Sequence, residues 1–192
     1  DETGGDYYDY IELPNGRLGI VVADASGHGI DAALHMTTAR AFLLFAARNF
    51  QGPALMLDEV NQYLTRDSAS TSRFMSMFFL EIDPHKHTLR WVRAGHEPAM
   101  VYHPEANDFS ELSGDGMAMG VLTDYTFKEY TAGKLTPGCL VIITTDGIHE
   151  TRNDDGEMFG MDRLRAVIRK HSQDGAHQIQ SAIIEAVEAF RG

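Results

Sequence analysis

Hydrophobic and polar positions first organise into a hairpin. Tyr7–Leu13 reads as a strand, Pro14-Asn15-Gly16 as a turn and Arg17–Asp24 as a returning strand, the spacing expected of two strands joined by a short turn. The second strand carries the continuous apolar run Ile20-Val21-Val22-Ala23, which predicts coverage on both faces. After Asp24 comes the glycine-bearing stretch Ser26-Gly27-His28-Gly29, then a long helical pattern with Ala32, Ala33, Met36, Ala39, Leu43 and Ala46 on one face. Arg40 falls beside that face, where its charge stays in water. Gln51-Gly52-Pro53 ends the helix. Pro53 suits the first turn of the next one, whose apolar positions are Leu55, Leu57, Val60 and Leu64.

Further along, Phe74–Asp83 is strand-like, Pro84-His85-Lys86 turns, and Thr88–Arg93 returns. Ala94-Gly95-His96-Glu97-Pro98 interrupts before Ala99–Tyr102 resumes extended structure. Residues 104–125 read as loop, Phe127–Tyr130 as a short strand, Gly133–Gly138 as a turn region and Cys139–Thr145 as a β-branched strand. Met161–His171 and Ala176–Phe190 read as amphipathic helices. Hairpins followed by paired helices argue for a layered α+β fold rather than an alternating parallel sheet.

The 192 residues fit one domain with a full core. With 28 acidic against 16 basic residues, the formal charge is −12. That balance disfavours nucleic acid or anionic lipid as the main partner, since both require a positive patch. A hydrophobic share of 43% fits a globular chain. The single Cys139 excludes an internal disulfide and a cysteine zinc cage, which suits a reducing compartment. No apolar run reaches the roughly 18 residues of a spanning helix.

Three aspartates share a setting. Asp6 follows Gly4-Gly5, Asp24 ends a strand before a glycine turn, and Asp146 ends a late strand before Gly147. Carboxylates beside free backbone carbonyls make the oxygen-rich environment that Mg²⁺ or Mn²⁺ requires. A lone Asp-Gly after a strand is more often a turn, and spacing alone does not bring the three together.

Several motifs in order carry a family resemblance: Gly4-Gly5-Asp6-Tyr7-Tyr8-Asp9; Asp24-Ala25-Ser26-Gly27-His28-Gly29 with Ala32-Ala33-Leu34; Arg93-Ala94-Gly95-His96-Glu97-Pro98; and Thr145-Asp146-Gly147-Ile148-His149-Glu150 followed by Phe159-Gly160. Together they resemble the metal-dependent serine/threonine phosphatases of the PPM (PP2C-like) family, in particular the bacterial RsbU/SpoIIE-type branch. The resemblance implies an α+β fold, an αββα sandwich of two mainly antiparallel sheets flanked by helix pairs. It implies two Mn²⁺ or Mg²⁺ ions and hydrolysis of phosphoserine or phosphothreonine by a metal-activated water. Asp24 would bridge the ions, Ala25 would offer its carbonyl, Asp6 would bind the second ion and Asp146 the first. Asp9 belongs to the motif with a less defined role.

The resemblance also implies a phosphorylated regulatory protein as substrate, of the STAS-type anti-sigma-factor antagonist class, in cytoplasmic stress-response signalling. Family members carry a further Asp on a C-terminal strand, whereas this chain stops at Phe190-Arg191-Gly192. The expectation is therefore a single domain over residues 1–192, truncated at both ends, with the C-terminal strand missing and a sensor or receiver domain upstream. The alternative is a non-catalytic, phosphatase-like module that docks a partner. Homodimerisation through Ile30–Asn49 and Pro53–Thr65 is a further expectation.

Other residues carry two readings each. His28 is the candidate catalytic side chain, as proton donor to the leaving serine oxygen; packing or capping at the helix start is the alternative, favoured by the longer loop of this branch. His96 either faces the site or holds its own Gly-Pro loop. Arg73 either meets phosphate or forms a surface ion pair. Ser26 is no nucleophile elbow, because Asp24 stands where that motif needs glycine. Met75, Met77, Met117 and Met119 read as packing residues, and Cys139 as a small buried hydrophobe. Asp154-Asp155-Gly156-Glu157 reads as a solvated turn.

Overall fold

A computed structural model describes residues 4–68, 73–133 and 136–192. The chain divides into two compact units, Asp1–Pro98 with Leu112–Leu135, and Ala99–Glu111 with Thr136–Gly192.

The first unit is built on a five-stranded sheet. Its strands are β1 (Asp6–Leu13), β2 (Arg17–Ala25), β3 (Met75–Asp83), β4 (Thr88–Ala94) and β7 (Tyr130–Ala132), in the order β1-β2-β3-β4-β7. Each neighbouring pair in this order is antiparallel. The hairpin turn is a short 3-10 segment, Pro14–Gly16, in which Asn15 and Gly16 both take positive φ. Helices α1 (Ile30–Ala47) and α2 (Pro53–Asp67) cover one face of this sheet. The core there joins Tyr7, Val21, Ala23 and Phe79 of the strands to Ala39, Leu43, Leu57 and Leu64 of the helices.

The central strand β3 is the one covered on both faces, with Phe78, Phe79 and Leu80 all buried. The same expectation for Ile20–Ala23 needs correction. In β2 burial alternates, Val21 and Ala23 being buried while Ile20 and Val22 are half-buried, because β2 lies beside the edge strand β1. In α2, Leu55 points outward, 59% exposed, and Met56 and Asn61 join Leu57, Val60 and Leu64 inside. Leu55 is two residues from Leu57 and so falls about 200° around the helix from it.

α1 is apolar on nearly every side. It is long and apolar enough by length and composition to cross a membrane, yet Ala32, Ala39 and Leu43 seat it on the sheet. Its pattern conceals His35, which is buried with no hydrogen-bond partner for Nε2.

The second unit carries β5 (Ala99–His103), β6 (Asp108–Leu112) and β8 (Leu140–Ile142), in the order β6-β5-β8. It also holds the helical turn α3 (Asp146–His149) and the helices α4 (Gly160–Lys170) and α5 (Ala176–Arg191). Met100 and Tyr102 pack with Phe159, Leu164, Ile168, Ile179 and Ile183. Three expectations change here and nearby. Residues 108–112, read as loop, form β6; the late strand is confined to residues 140–142, where it pairs with β5; and β7 lies at 130–132 rather than 127–130. Cys139 is half-buried, its Sγ 3.5 Å from Nδ1 of His103, rather than a core hydrophobe. Met75, Met77 and Met119 are core residues, while Met117 is 37% exposed. Asp154–Glu157 form an exposed turn closed by Asn153. Part of the turn expected over Gly133–Gly138 lies outside the described residues.

Two stability predictions follow from buried polar groups. Glu81 is 1% exposed and lies between the guanidinium groups of Arg17 at 3.0 Å and Arg90 at 2.5 Å. Removing the shared anion in Glu81→Ala leaves two cations facing one another, and urea denaturation should show a loss of about 2–3 kcal/mol. Burial holds the His35 imidazole below its ordinary value, Asp67 opposing this shift and Arg73 adding to it. The unfolded chain therefore binds the extra proton first, so stability present above about pH 6.5 is lost as pH falls through the lowered folded value. Melting curves between pH 7.5 and 5.5 should show this decline, and His35→Leu should flatten it.

Candidate metal centre

The hairpin register sets the first geometry. Asp6 of β1 lies directly across from Asp24 of β2. Directly paired residues share a face of an antiparallel sheet, so the two carboxylates project to the same side. Tyr7 and Ala23, one residue along each strand, are buried on the helix-covered side. Asp6 is exposed and Asp24 half-buried.

Ala25 follows Asp24 at the end of β2, and its N–H donates to the Gly5 carbonyl at 3.3 Å. Gly5 packs closely against the Ala25 carbonyl, an approach that only glycine allows. A Cβ on Gly5 would lie 2.7 Å from that oxygen, and 3.3 Å from Cβ of Ala32 in α1. The Gly4-Gly5-Asp6 motif therefore brings the chain close against the end of β2, beside the two carboxylates.

The loop beyond Ala25 is pinned from the neighbouring strand. The Ser26 N–H donates to the Phe74 carbonyl at 2.9 Å, and the Phe74 N–H donates to Ser26 Oγ at 3.1 Å. Ser26 thus holds the loop and has no nucleophilic role. Gly27 and Gly29 both take positive φ, 92° and 77°, and the chain reverses there into α1. His28 between them is exposed, and no side chain caps α1. Its packing or capping reading is therefore not met.

Asp9 lies on the opposite face of β1 from Asp6, since the two are an odd number of residues apart. Its Oδ2 accepts from the Tyr7 hydroxyl at 2.9 Å and from Arg40 Nε at 3.0 Å, and its Oδ1 accepts from the Tyr10 N–H at 2.8 Å. Burial raises the Asp9 carboxyl, but these three donors outweigh it and leave the group below its ordinary value. Burial and Asp9 together push the Tyr7 phenol well above its ordinary range. Asp9 is thus a structural anchor.

His96 is 3% exposed. Its Nδ1 lies 2.8 Å from Ser76 Oγ, and its carbonyl accepts from Arg93 Nε. The Arg93 bond holds the Gly-Pro loop, while the Ser76 bond carries the imidazole onto β3. Ser76 is directly across from Asp24 in the β2–β3 ladder, so the His96 contact ends on the carboxylate face of the sheet. Sequence reasoning missed Ser76; its only signal was a hydroxyl inside the apolar run Met75–Phe79. Arg73 forms the ion pair expected of a surface cation, with Nη2 at 2.6 Å from Asp31 Oδ2.

Asp146 belongs to the second unit. It opens α3 rather than ending a strand, with Thr145 in extended conformation before it and its carbonyl accepting from the Glu150 N–H at 2.9 Å. An acidic side chain in the first turn is favoured by the exposed N–H groups there. Among the described residues, no three His, Cys, Asp or Glu side chains gather as a preformed metal cage. Mg²⁺ commonly keeps several waters and takes only one or two carboxylates. The carboxylates of Asp6 and Asp24, paired on one sheet face next to Ala25, are the kind of oxygen donors such an ion takes.

Comparisons with known proteins extend this geometry. The family model described as Stage II sporulation protein E (SpoIIE) matches residues 14–192. The phosphoserine phosphatase RsbU of Bacillus subtilis is 27% identical over 186 residues, covering 97% of this chain and 54% of RsbU. The chain thus spans about half the length of that relative. Among solved structures, the PP2C domain of SiaA from Pseudomonas aeruginosa superposes with a TM-score of 0.85 at 24% identity, over 98% of this chain and 75% of that one. The RsbU and RsbW domains of a Mycobacterium tuberculosis protein give 0.83 at 21% identity, over 99% of this chain and 52% of that one. These likenesses show the PP2C fold, with its two mainly antiparallel sheets and helices.

The Gly5 contact yields a prediction. Gly5→Ala forces a backbone oxygen or α1 to move, and thermal or urea unfolding should show a loss of about 1–3 kcal/mol. Wild-type stability in that variant would mean that the approach of Gly5 to Ala25 is looser than described. On the family match over residues 14–192 and the shared fold, the chain belongs to the Stage II sporulation protein E (SpoIIE) family.

Proposed function

We propose that the chain is the catalytic domain of a metal-dependent phosphatase that removes phosphate from phosphoserine or phosphothreonine on a regulatory protein. The observation that carries this reading is the pair Asp6 and Asp24, held on one sheet face beside the Ala25 carbonyl. RsbU, whose name is phosphoserine phosphatase, supports the reaction class.

In this reading Asp24 and Asp6 supply carboxylate oxygens and Ala25 supplies its carbonyl, and the family resemblance adds the Asp146 carboxylate. Two Mn²⁺ or Mg²⁺ ions in that set would lower the pKa of an attacking water and offset charge on the phosphoryl oxygens. The chain's own contribution is to hold those oxygens in place before substrate arrives. Strand pairing fixes Asp6 against Asp24, and the Ser26–Phe74 bonds fix the loop that follows. No side-chain nucleophile is required. His28, exposed between two glycines, is assigned to proton delivery to the departing serine oxygen, where general acid catalysis contributes roughly 10²-fold or more.

The substrate proposed is a phosphorylated STAS-type antagonist protein in the cytoplasm. The negative net charge, −12, is compatible with bound cations supplying the local positive charge that receives the phosphate. Exposed Ile30, Leu34 and Phe45 on α1 and Leu55 on α2 support self-association through those helices, which concentration-dependent sedimentation would detect.

The test is release of phosphate from a phosphoserine protein by the full-length protein, with and without Mn²⁺. Release should depend on the ion, and Asp24→Asn and Asp146→Asn should each lower the rate by about a hundredfold or more. Full activity in either variant would remove that residue from the proposed centre. His28→Ala should lower the maximal rate with little change in the Mn²⁺ requirement.

A further inference from the structure

We infer that Arg40 is a positioning residue for the proposed metal centre: it straps the first rung of β1 to α1 through Asp9 and so sets how tightly Asp6 and Asp24 hold a divalent cation. The inference rests on the metal reading above.

Among the described residues, β1 is an edge strand, hydrogen-bonded to β2. Asp6 is its first residue and sits on the last rung of the ladder. Such an end opens readily, because few bonds must break to release it. Beyond that rung the Ala25 N–H still donates to the Gly5 carbonyl, at 3.3 Å. Restraint of β1 beside that rung therefore bears on how firmly Asp6 stays opposite Asp24.

That restraint lies on the far face of the strand. Arg40 donates Nε–H to Asp9 Oδ2 at 3.0 Å, and the Tyr7 hydroxyl donates to the same oxygen at 2.9 Å. Tyr7 is the residue next to Asp6, and its ring is buried in the core that α1 helps to form. The strand is thus fastened to the helix at Asp9 and Tyr7, while Asp6 projects to the other side. α1 is itself continuous with the end of β2, four residues separating Ala25 from Ile30. The route from Asp24 through α1 and Arg40 to Asp9 closes a loop around both carboxylate-bearing strands. Arg40 is 49% exposed and Asp9 24%, so the strap has the modest strength of a solvent-exposed ion pair.

The experiment has two readouts on the full-length protein. Hydrogen exchange without metal tests the strap alone: Arg40→Ala should speed exchange of the amides over residues 5–8 and leave β3 unchanged. Calorimetric titration with Mn²⁺ tests its consequence: Arg40→Ala should weaken binding by about fivefold, and Arg40→Lys should recover part of the loss. The phosphatase rate at saturating Mn²⁺ should stay within about twofold of wild type, a split that general destabilisation would not give. Asp24→Asn, titrated in parallel, should abolish most Mn²⁺ binding; if it binds as wild type does, the metal reading fails, and the positioning role fails with it. If Asp24→Asn loses binding but Arg40→Ala binds Mn²⁺ with wild-type affinity, or if the amides over residues 5–8 exchange at the wild-type rate, the positioning role alone is overturned.

Discussion

The register of the first hairpin is the constraint on which the candidate centre depends. Side chains alternate faces along a strand with a period of two, so a slip of one residue between β1 and β2 would send Asp6 to the helix-covered side and bring Tyr7 out. Nothing in the carboxylates themselves prevents that slip. It is prevented by Tyr7, Val21, Ala23 and Ala25, whose burial against α1 and α2 fixes which face is which, and by the turn at Pro14–Gly16, whose positive φ at Asn15 and Gly16 fixes the loop length. Hydrophobic burial on one face therefore aims polar chemistry on the other.

Close approach then converts a paired ladder into a possible ligand set. Gly5 lets the chain lie close against the Ala25 carbonyl. Ser26 and Phe74 bind one another in both directions and stop the next loop from drifting. Ser76 and His96 brace the adjoining strand on the same face. Each contact is ordinary in strength, near 1 kcal/mol for a neutral hydrogen bond. Their value lies in holding oxygens in position in advance, so that binding a cation costs less ordering of the chain.

Much of this was legible in the sequence because it rests on local rules. A turn between two strand-like segments, Pro53 at a helix start, and an apolar face at helical spacing gave the hairpin, α1 and α2 nearly to the residue. The Asp6 and Asp24 motifs stood out for their glycines. What sequence reasoning missed depends on partners distant in the chain. Arg40 read as a solvated charge because Asp9 is 31 positions away, and Asp9 drew attention as part of a ligand motif although it faces the wrong side of its strand. His35 was hidden in an apolar face, and Leu55 was placed inside because small shifts of helical phase reassign single residues. β6 lacked signal because its exposed residues, Asp108, Ser110 and Glu111, carry no apolar alternation. Asp146 was found as an Asp-Gly pair, yet its role in opening α3 required the short pairing of β8 to be known.

The most direct measurement is anomalous diffraction from crystals of the full-length protein soaked in Mn²⁺. The account predicts a peak at coordination distance, roughly 2.0–2.3 Å, from a carboxylate oxygen of Asp24 and from the Ala25 carbonyl, with Asp6 on the same ion or its neighbour. A well-ordered β1–β2 hairpin with no anomalous density among Asp6, Asp24 and Ala25 would contradict it.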